Sequence, residues 1–411
     1  MIYQFRHQHK DTLAENKITP RKFRSIGLIL TFIGLFTSHY GMSCSVFKIT
    51  ENGKTIVGNN EDYYNPSTKI WFSPKNKLQK YGVAYLGFDN GFSQGALNSE
   101  GLVFDGFAMP YLAVNDTAGK LTIPNTEYLP YIMSNFSNVR EVREYFKTIN
   151  LHHLTTSMYL FVDKTGEYLI VEGDSLIIGN EAVFALSNFY PSQTASQNDV
   201  KIPFFIKGKN YINNNTLKAD FQTCSNVMST LQQGFTQYSS LYNLSSGEIK
   251  IHHFHNYDDE VNFTLSNELV KSEHEYIIPE LFSKESEGYK YYYDYNFDAQ
   301  AISNRIGDEW KMIQDKVAPQ TRQMIAKEVE KMLNTIGYEW LRRGQLDGAI
   351  TIFSFNVNLF PDESNTYDSL GEAYMENKQY DLSKENYKKA LKLNKNSTTA
   401  KEILKTLKRK H

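Results

Sequence analysis

The sequence predicts an α+β domain followed by an all-α helical module. Between residues 44 and 280, strand-like segments come first, helical segments follow, and further strand-like segments come last. This order is typical of layered α+β domains rather than of alternating βαβ units. After residue 330, amphipathic helical segments repeat with a period of 34 residues, which is typical of stacked helical repeats.

The first predicted element is a β-hairpin over residues 45–60. Its turn contains Asn52-Gly53, a pair that supplies the positive φ angles that tight hairpin turns need. Residues 126–150 are predicted to be helical, because apolar positions recur there at steps of three and four. The other predicted strands are residues 82–87 and 101–106, as a second pair, then 158–162, 168–172 and a segment that ends at residue 188.

Residues 1–43 are predicted to be a leader that ends in a secretory signal peptide. Basic residues precede an apolar run from Ile26 to Phe36, and Gly41 and Ser43 are small residues at positions −3 and −1 of a cleavage site. The apolar run is shorter than the roughly 20 residues of a membrane span. Cleavage before Cys44 and export to the periplasm or the extracellular space are therefore expected.

A cysteine at this junction has a second interpretation. Bacterial lipoprotein signals also end just before a cysteine, which is then lipidated. The residues before Cys44 fit that pattern poorly, with Gly41 where a leucine is usual and Met42 where a small residue is usual. Ordinary cleavage is therefore favoured, and a membrane-anchored lipoprotein is the alternative.

A cysteine that becomes the first residue of a mature protein carries a nucleophile and a base together. Its thiol can attack a carbonyl carbon, and its free α-amine, with a pKa near ~8 in model peptides, can accept the thiol proton at neutral pH. Cys44 is therefore the candidate nucleophile. The other cysteine, Cys224, then has no disulfide partner and is predicted to be a small buried side chain.

Four segments between Cys44 and about residue 275 stand out by their order and spacing. They are Cys44-Ser45, Gly58-Asn59-Asn60-Glu61-Asp62, Asn98-Ser99-Glu100-Gly101-Leu102 before Gly106, and Val171-Glu172 followed by Leu186-Ser187-Asn188. Together these segments resemble the choloylglycine hydrolase and penicillin V acylase family of N-terminal nucleophile hydrolases. The resemblance implies an αββα sandwich and cleavage of a linear amide, in which the cysteine forms a thioester that water hydrolyses.

The resemblance also implies roles for individual residues. Asp62 matches the aspartate that holds the α-amine of the nucleophile, which a carboxylate can do through a charge-assisted hydrogen bond. Asn188 matches the asparagine whose side-chain N–H stabilises the oxyanion, and such a donor typically lowers the barrier by ~3–4 kcal/mol. The backbone N–H of Ala108 is the predicted second oxyanion donor, and Asn98 is assigned a supporting role.

The chain departs from the family pattern at two places. Asn59 stands where the motif has an arginine, so that a cation that would lower the pKa of the thiol is missing. A second arginine of the later active-site segment has no counterpart, because no arginine occurs between Arg143 and Arg305. The general amidase prediction is unaffected, while bile-acid and penicillin V substrates are not predicted.

Composition and spacing argue against other kinds of partner. The formal net charge is −2 and 41% of the residues are hydrophobic, which favours neither nucleic acid nor an anionic membrane surface. His253 and His255 are predicted to share a face of a strand over residues 249–255, but no third ligand at suitable spacing accompanies them. Neither a metal nor another cofactor is predicted.

The C-terminal part resembles tetratricopeptide repeats over residues 330–396. Gly337 and Phe353 of a first repeat correspond to Gly371 and Tyr387 of a second, small residues where helices cross and aromatic residues between them. Two repeats and a capping helix are predicted over residues 330–411, joined to a hydrolase domain at 44–280 by a helical segment at 281–329. Because about three repeats are usually needed for stability, the module is expected to lean on its neighbours.

The preferred prediction is an exported enzyme that hydrolyses small N-acyl amide substrates. Transfer of the acyl group to an amine instead of water is a variant of the same chemistry, because a thioester can be resolved by either nucleophile. The alternative from another class is a lipid-anchored interaction protein, in which Cys44 is acylated and the repeats bind a protein partner. In both cases a membrane is contacted only through the signal peptide or a lipid anchor.

Overall fold

A computed structural model describes residues 44–89, 91–314 and 316–410 of the chain. The predicted leader and signal peptide at residues 1–43 lie outside the described residues. Within those described ranges, none of the helices combines the length and the apolar character needed to cross a membrane.

Fourteen strands in the described part of the chain form two antiparallel sheets. They are β1 (Ser45–Glu51), β2 (Lys54–Asp62), β3 (Thr68–Ser73), β4 (Val83–Phe88), β5 (Ser93–Asn98), β6 (Val103–Ala108), β7 (Ser157–Val162), β8 (Tyr168–Glu172), β9 (Ser175–Gly179), β10 (Val183–Ser187), β11 (Thr236–Asn243), β12 (Glu248–His253), β13 (Asn256–Thr264) and β14 (His274–Ile277). Sheet A has the order β10-β1-β2-β11-β12-β13, and sheet B has the order β14-β3-β4-β5-β6-β7-β8-β9.

Twelve α-helices occur in the same residues. They are α1 (Asn125–Asn135), α2 (Val139–Phe146), α3 (Pro203–Asn214), α4 (Phe221–Leu231), α5 (Leu265–Glu268), α6 (Glu287–Phe297), α7 (Ala299–Gln314), α8 (Pro319–Arg342), α9 (Leu346–Leu359), α10 (Ser364–Glu376), α11 (Tyr380–Leu393) and α12 (Thr398–Lys410). The described residues also contain four short 3-10 helices, at His152–Thr156, Pro191–Gln193, Gln197–Asp199 and Ile278–Leu281.

The first five helices and the two sheets form four layers. Helix α4 packs on β1, β2 and β11 of sheet A, and α3 packs on α4. Helices α1 and α2 contact β5 and β8 of sheet B. A hydrophobic core joins the two sheets, and it includes Val46 and Val57 of sheet A and Val103 and Phe107 of sheet B. The predicted αββα sandwich is confirmed by this arrangement.

The predicted first hairpin is confirmed. Strands β1 and β2 pair in the register that puts Val46 opposite Asn59. Asn52 and Gly53 turn between them with φ angles of 51° and 75°. This register carries the motif at the end of β2 back to the start of β1, so that residues 59–62 lie beside Cys44.

Two of the predicted elements are wrong in detail. Residues 82–87 and 101–106 are not a pair, because β5 lies between β4 and β6 and bonds to both. The helix predicted over residues 126–150 is two helices, because Phe136 is extended and Asn138 caps α2 by accepting a hydrogen bond from the Glu141 N–H. An N-cap of this kind starts a new helix instead of continuing the old one.

The repeat spacing is confirmed by contacts between helices. A Cβ atom on Gly337 of α8 would lie 2.4 Å from the Phe353 ring of α9, and one on Gly371 of α10 would lie 3.1 Å from the Tyr387 ring of α11. The two glycines therefore let each pair of helices approach closely. The boundary predicted at residues 329/330 falls inside α8, which is continuous from Pro319 to Arg342.

The helical module shares a core with the edge of the α+β domain. Tyr64, Phe235 and Phe254 of the domain pack in the same hydrophobic cluster as Tyr291 of α6 and Trp340 of α8. The module therefore leans on the domain, as expected for two repeats.

Candidate active site

Cys44 lies immediately before β1, beside the end of β2. It is 7% exposed. Its sulfur accepts a hydrogen bond from the backbone N–H of Asp62, and its thiol bonds to the Glu61 carboxyl. Its carbonyl oxygen accepts a hydrogen bond of 2.9 Å from Ser187 Oγ on β10. The central strands of sheet A thus hold this residue from both sides.

The surroundings of the thiol are buried and acidic. Burial, followed by the charges of Glu61, Asp62 and Asp105, raises the pKa of the Cys44 thiol well above its usual value. Asp105 comes from β6 of sheet B. It lies on the same face of that strand as Val103 and Phe107, which belong to the core between the sheets. A thiol in this setting is protonated at neutral pH, so that its attack on a carbonyl requires a base to take the proton.

Two side chains hold the Asp62 carboxylate, one from β11 and one from the loop that precedes β11. Gln233 Nε2 donates to Asp62 Oδ2 at 2.6 Å, and Thr236 Oγ1 donates to Oδ1. Burial raises the pKa of Asp62 to about 7, while these hydrogen bonds lower it. The carboxylate is thereby fixed in orientation next to Cys44.

Asn188 and Ala108 are brought together at the end of β10. Ser45 pairs with Ser187, so the next residues along, Cys44 and Asn188, face each other. Asn188 Nδ2 donates to the carbonyl oxygen of Ala108. Asn188 is buried, whereas Ala108 is exposed. The two predicted oxyanion residues are therefore joined by a hydrogen bond, and Asn188 faces Cys44 across the sheet.

The other two predicted site residues have different positions. Asn59 lies on β2, and its buried side chain interacts with the Asp105 carboxyl, which lowers the pKa of Asp105 against the larger effect of burial. Asn98 ends β5, where its side chain donates to the carbonyls of Met133 and Phe136 and accepts from the backbone N–H groups of the turn that follows. All of these bonds tie α1 to the turn, and none of them reaches Cys44.

Helices of the C-terminal module support the segment that follows Asp62. Tyr291 of α6 donates a hydrogen bond of 2.6 Å to the carbonyl oxygen of Tyr64. Further along this segment, Ser67 Oγ donates to Asn296 Oδ1 at 2.8 Å, and Arg343, the residue that follows α8, donates to the same oxygen at 2.7 Å. The module is therefore connected to the strand end that carries Asp62.

Sequence reasoning missed Glu61 and Asp105. Burial raises the pKa of Glu61 to about 8, with a further contribution from Asp62, and burial followed by Glu61 raises the pKa of Asp105 well above its usual value. A signal was present for Asp105, because it is a charged residue inside an otherwise apolar or small-residue strand segment, and for Glu61, because it stands within the motif that ends at Asp62. Their proximity to each other depends on the packing of the two sheets, which no local pattern reveals.

The histidines near residue 253 form no metal site. Strand β12 ends at His253, because Phe254 and His255 adopt φ angles of 51° and 50° in the turn to β13, so the strand predicted to residue 255 is too long. His252 bonds instead to Ser225 Oγ and to the carbonyl oxygen of Asp259. No cluster of three or more metal-ligating side chains is found among the residues that the structure describes.

Comparisons with known proteins agree with the two-part architecture. Over 150 residues the chain is 31% identical to the bile salt hydrolase/transferase of Clostridium perfringens (strain 13 / Type A), and residues 364–397 match the tetratricopeptide repeat family. The chain is thus a homologue of a bile salt hydrolase, and it contains a tetratricopeptide repeat. The aligned stretch covers 30% of this chain and 45% of the relative, so less than half of that protein is spanned.

Two solved structures are also similar. One is a mutant of the conjugated bile acid hydrolase from Clostridium perfringens, with 20% identity, a TM-score of 0.46 and coverage of 57% of this chain and 96% of that chain. The other is penicillin V acylase from Agrobacterium tumefaciens, with 14% identity, a TM-score of 0.44 and coverage of 55% and 87%.

Proposed function

We propose that this bile salt hydrolase homologue is an exported amidase that hydrolyses N-acyl amides through a thioester on Cys44. The observation that carries the proposal is the position of the thiol. It lies at the end of the central strands, hydrogen-bonded to the Asp62 N–H and the Glu61 carboxyl, with Asn188 facing it across the sheet. Nucleophile, base-holding carboxylate and oxyanion donor are the three parts that amide hydrolysis needs.

The first step is attack of the Cys44 sulfur on the amide carbonyl carbon. Cleavage before Cys44 frees its α-amine, which takes the thiol proton and passes it to the leaving amine as the carbon–nitrogen bond breaks. Water then attacks the thioester and releases the acid. Asp62 holds the amine, and Gln233 and Thr236 keep the Asp62 carboxylate oriented.

The oxyanion is stabilised from the side of Asn188. An asparagine amide nitrogen carries two hydrogens. One donates to the Ala108 carbonyl oxygen, and the other is available for the negative charge that develops on the substrate oxygen. The bond to Ala108 fixes the amide before the substrate arrives, which is the preorganisation that makes such donors effective.

Acyl transfer is the nearest variant of this function. The printed name of the relative includes both hydrolase and transferase, and a thioester yields an acid with water or a new amide with an amine. The lipid-anchored interaction protein has less support, because the thiol is buried and hydrogen-bonded within the acidic cluster. The repeats nevertheless offer a surface for a protein partner.

A panel of N-acyl amides incubated with the purified, processed protein tests the function. We expect the wild-type protein to release the amine. The Cys44→Ser and Cys44→Ala proteins should release none, although their circular dichroism spectra match that of the wild type. Addition of hydroxylamine separates the two outcomes of the thioester, because a transferase forms hydroxamate in preference to free acid. Undiminished hydrolysis by the alanine variant would rule out the proposed mechanism.

A further inference from the structure

Two buried carboxyl groups beside the Cys44 thiol carry acceptor atoms that the described chain does not satisfy. Glu61 is 3% exposed and Asp105 is 1% exposed. Oε2 of Glu61 and Oδ1 of Asp105 have no hydrogen-bond partner among the described residues. Buried carboxyl oxygens in folded proteins are nearly always hydrogen-bonded. Both atoms are therefore available to accept a hydrogen bond from a bound group.

Two more polar groups are buried at the same place. The Tyr242 hydroxyl lies 3.3 Å from the point where a Cβ atom on Gly95 would stand, so the glycine leaves room for it. The Asn59 side chain interacts with Asp105, and the Tyr242 hydroxyl interacts with Ser240. The two carboxyl oxygens that lack a partner come from different sheets, Glu61 from sheet A and Asp105 from sheet B, and they converge beside these polar groups.

The described side chains at this place are negative or neutral. No lysine, arginine or histidine of the described residues lies close enough to Glu61, Asp62 or Asp105 to lower the pKa of that carboxyl. The titratable groups that face Glu61 are Cys44, Asp62, Asp105, Tyr238 and Tyr242.

We propose that the amine part of the substrate carries a positive charge, which Glu61 and Asp105 bind. The inference rests on the proposed amidase function, because it places the scissile amide at the thiol that Glu61 contacts. In that function Asp62 holds the α-amine of mature Cys44, which leaves the other two carboxyls for the substrate. An ammonium group offers three donors and no acceptor, and so it matches the unpartnered carboxyl oxygens. An amino acid that is acylated on its nitrogen keeps an anionic carboxylate, and the two carboxyl groups would repel it.

Binding of a cation at Glu61 depends on pH. In the absence of a cation, burial raises the pKa of Glu61 to about 8, so this carboxyl is protonated at neutral pH. A cation favours the ionised form, so its binding releases a proton. KM for a cationic substrate therefore rises as the pH falls below about 8, whereas KM for a neutral substrate changes less.

Three amides of one acyl group test the charge preference. The decanoyl amides of ethylenediamine, propylamine and β-alanine have nearly equal length and are cationic, neutral and anionic at the far end. We expect kcat/KM to be at least ~10-fold higher for the ethylenediamine amide than for the propylamide, with the β-alanine amide slowest. Equal rates for the three, or fastest hydrolysis of the β-alanine amide, would overturn the proposal.

Variants locate the preference in the two carboxyls. Asp105→Asn and Glu61→Gln are each expected to bring the cationic-to-neutral ratio of kcat/KM close to one, mainly through KM for the cationic amide. Glu330→Gln is the matched control, since Glu330 is a buried carboxyl of α8 that bonds to Asn365, and it should leave the ratio unchanged. A ratio that survives both substitutions would contradict the assignment.

Failure of the inference is distinguishable from failure of the proposed function. If the wild type hydrolyses none of the three amides and none of the wider panel, the function fails. Calorimetric binding of the same three amides to the Cys44→Ala protein then decides the inference. Tighter binding of the cationic amide, with a buffer-dependent enthalpy that reports proton release, supports it, and equal or tighter binding of the anionic amide overturns it.

Discussion

The Tyr291 hydroxyl donates a hydrogen bond of 2.6 Å to the carbonyl oxygen of Tyr64, two residues beyond Asp62. This bond joins the first helix after the hydrolase-like domain to the strand end that carries the candidate active site. Tyr291 is 6% exposed and packs against Phe254. The helical module therefore helps to hold the chain segment that follows Asp62. This role is separate from any binding of a partner by the repeats.

Replacement of Tyr291 by phenylalanine tests this connection. The change removes one buried hydrogen bond, and the expected loss is ~1 kcal/mol of unfolding free energy. Because the Tyr64 segment is then held less firmly, kcat is expected to fall with little change in KM. Tyr293→Phe on the same helix is the control, since Tyr293 is 49% exposed. Equal effects of the two substitutions would argue against a specific role for the bond.

Thr236→Val is expected to shift the pH dependence of hydrolysis. The Thr236 hydrogen bond lowers the pKa of Asp62, which burial has raised to about 7. Its loss raises that pKa further, so the ionised carboxylate is reached only at higher pH. The acid limb of kcat/KM should therefore move to higher pH. Thr230→Val, at a threonine that bonds only within α4, should leave the limb in place. A shift to lower pH would contradict the role of Asp62.

Asn188→Ala tests the oxyanion assignment. Loss of one oxyanion donor typically lowers kcat by ~10²–10³. KM should change little, because the donor acts on charge that develops after binding. Asn198→Ala on the exposed 3-10 helix is the control. Retention of wild-type kcat by Asn188→Ala would transfer the oxyanion role to backbone groups.

The two repeat glycines should respond differently to alanine. A Cβ atom would meet the Phe353 ring at 2.4 Å from position 337, but the Tyr387 ring at only 3.1 Å from position 371. Overpacking of this kind typically costs ~1–3 kcal/mol, against a gain of about 1 kcal/mol in helix propensity. Gly337→Ala should therefore lower the unfolding free energy more than Gly371→Ala. Unfolding in urea measures both free energies. A larger loss for Gly371→Ala than for Gly337→Ala would show that the helices of the first repeat are packed more loosely than those of the second.

Local signals were enough for the parts of the fold that local chemistry determines. Asn52-Gly53 fixes the first hairpin through its positive φ angles, and Gly337 and Gly371 mark where helices cross. Strand β5 was missed because its sequence, Ser-Gln-Gly-Ala-Leu-Asn, has neither clear alternation nor β-branched residues. The predicted strand included His255 because the turn that His255 forms with Phe254 contains no glycine, the usual sequence signal of such a turn.

The candidate site could be predicted only in part for the same reason. Cys44, Asp62 and Asn188 were predicted as site residues because each stands in a recognisable motif, and the structure places them next to one another. Glu61 and Asp105 belong to different sheets, and they meet only when the sandwich closes. Their effect on the thiol, and the substrate charge that they imply, follow from that packing and not from any spacing along the chain.

The most direct test of the central claim is the mass of the protein during turnover. Processed protein is mixed with an N-acyl amide that it is known to hydrolyse. The mixture is quenched in acid within milliseconds, and the protein is digested for mass spectrometry. The proposed mechanism predicts an N-terminal peptide that begins with Cys44 and carries the acyl group on its sulfur, with no such adduct in Cys44→Ala. Turnover with an unmodified Cys44, or with a mature chain in which Cys44 is not the first residue, would contradict the mechanism.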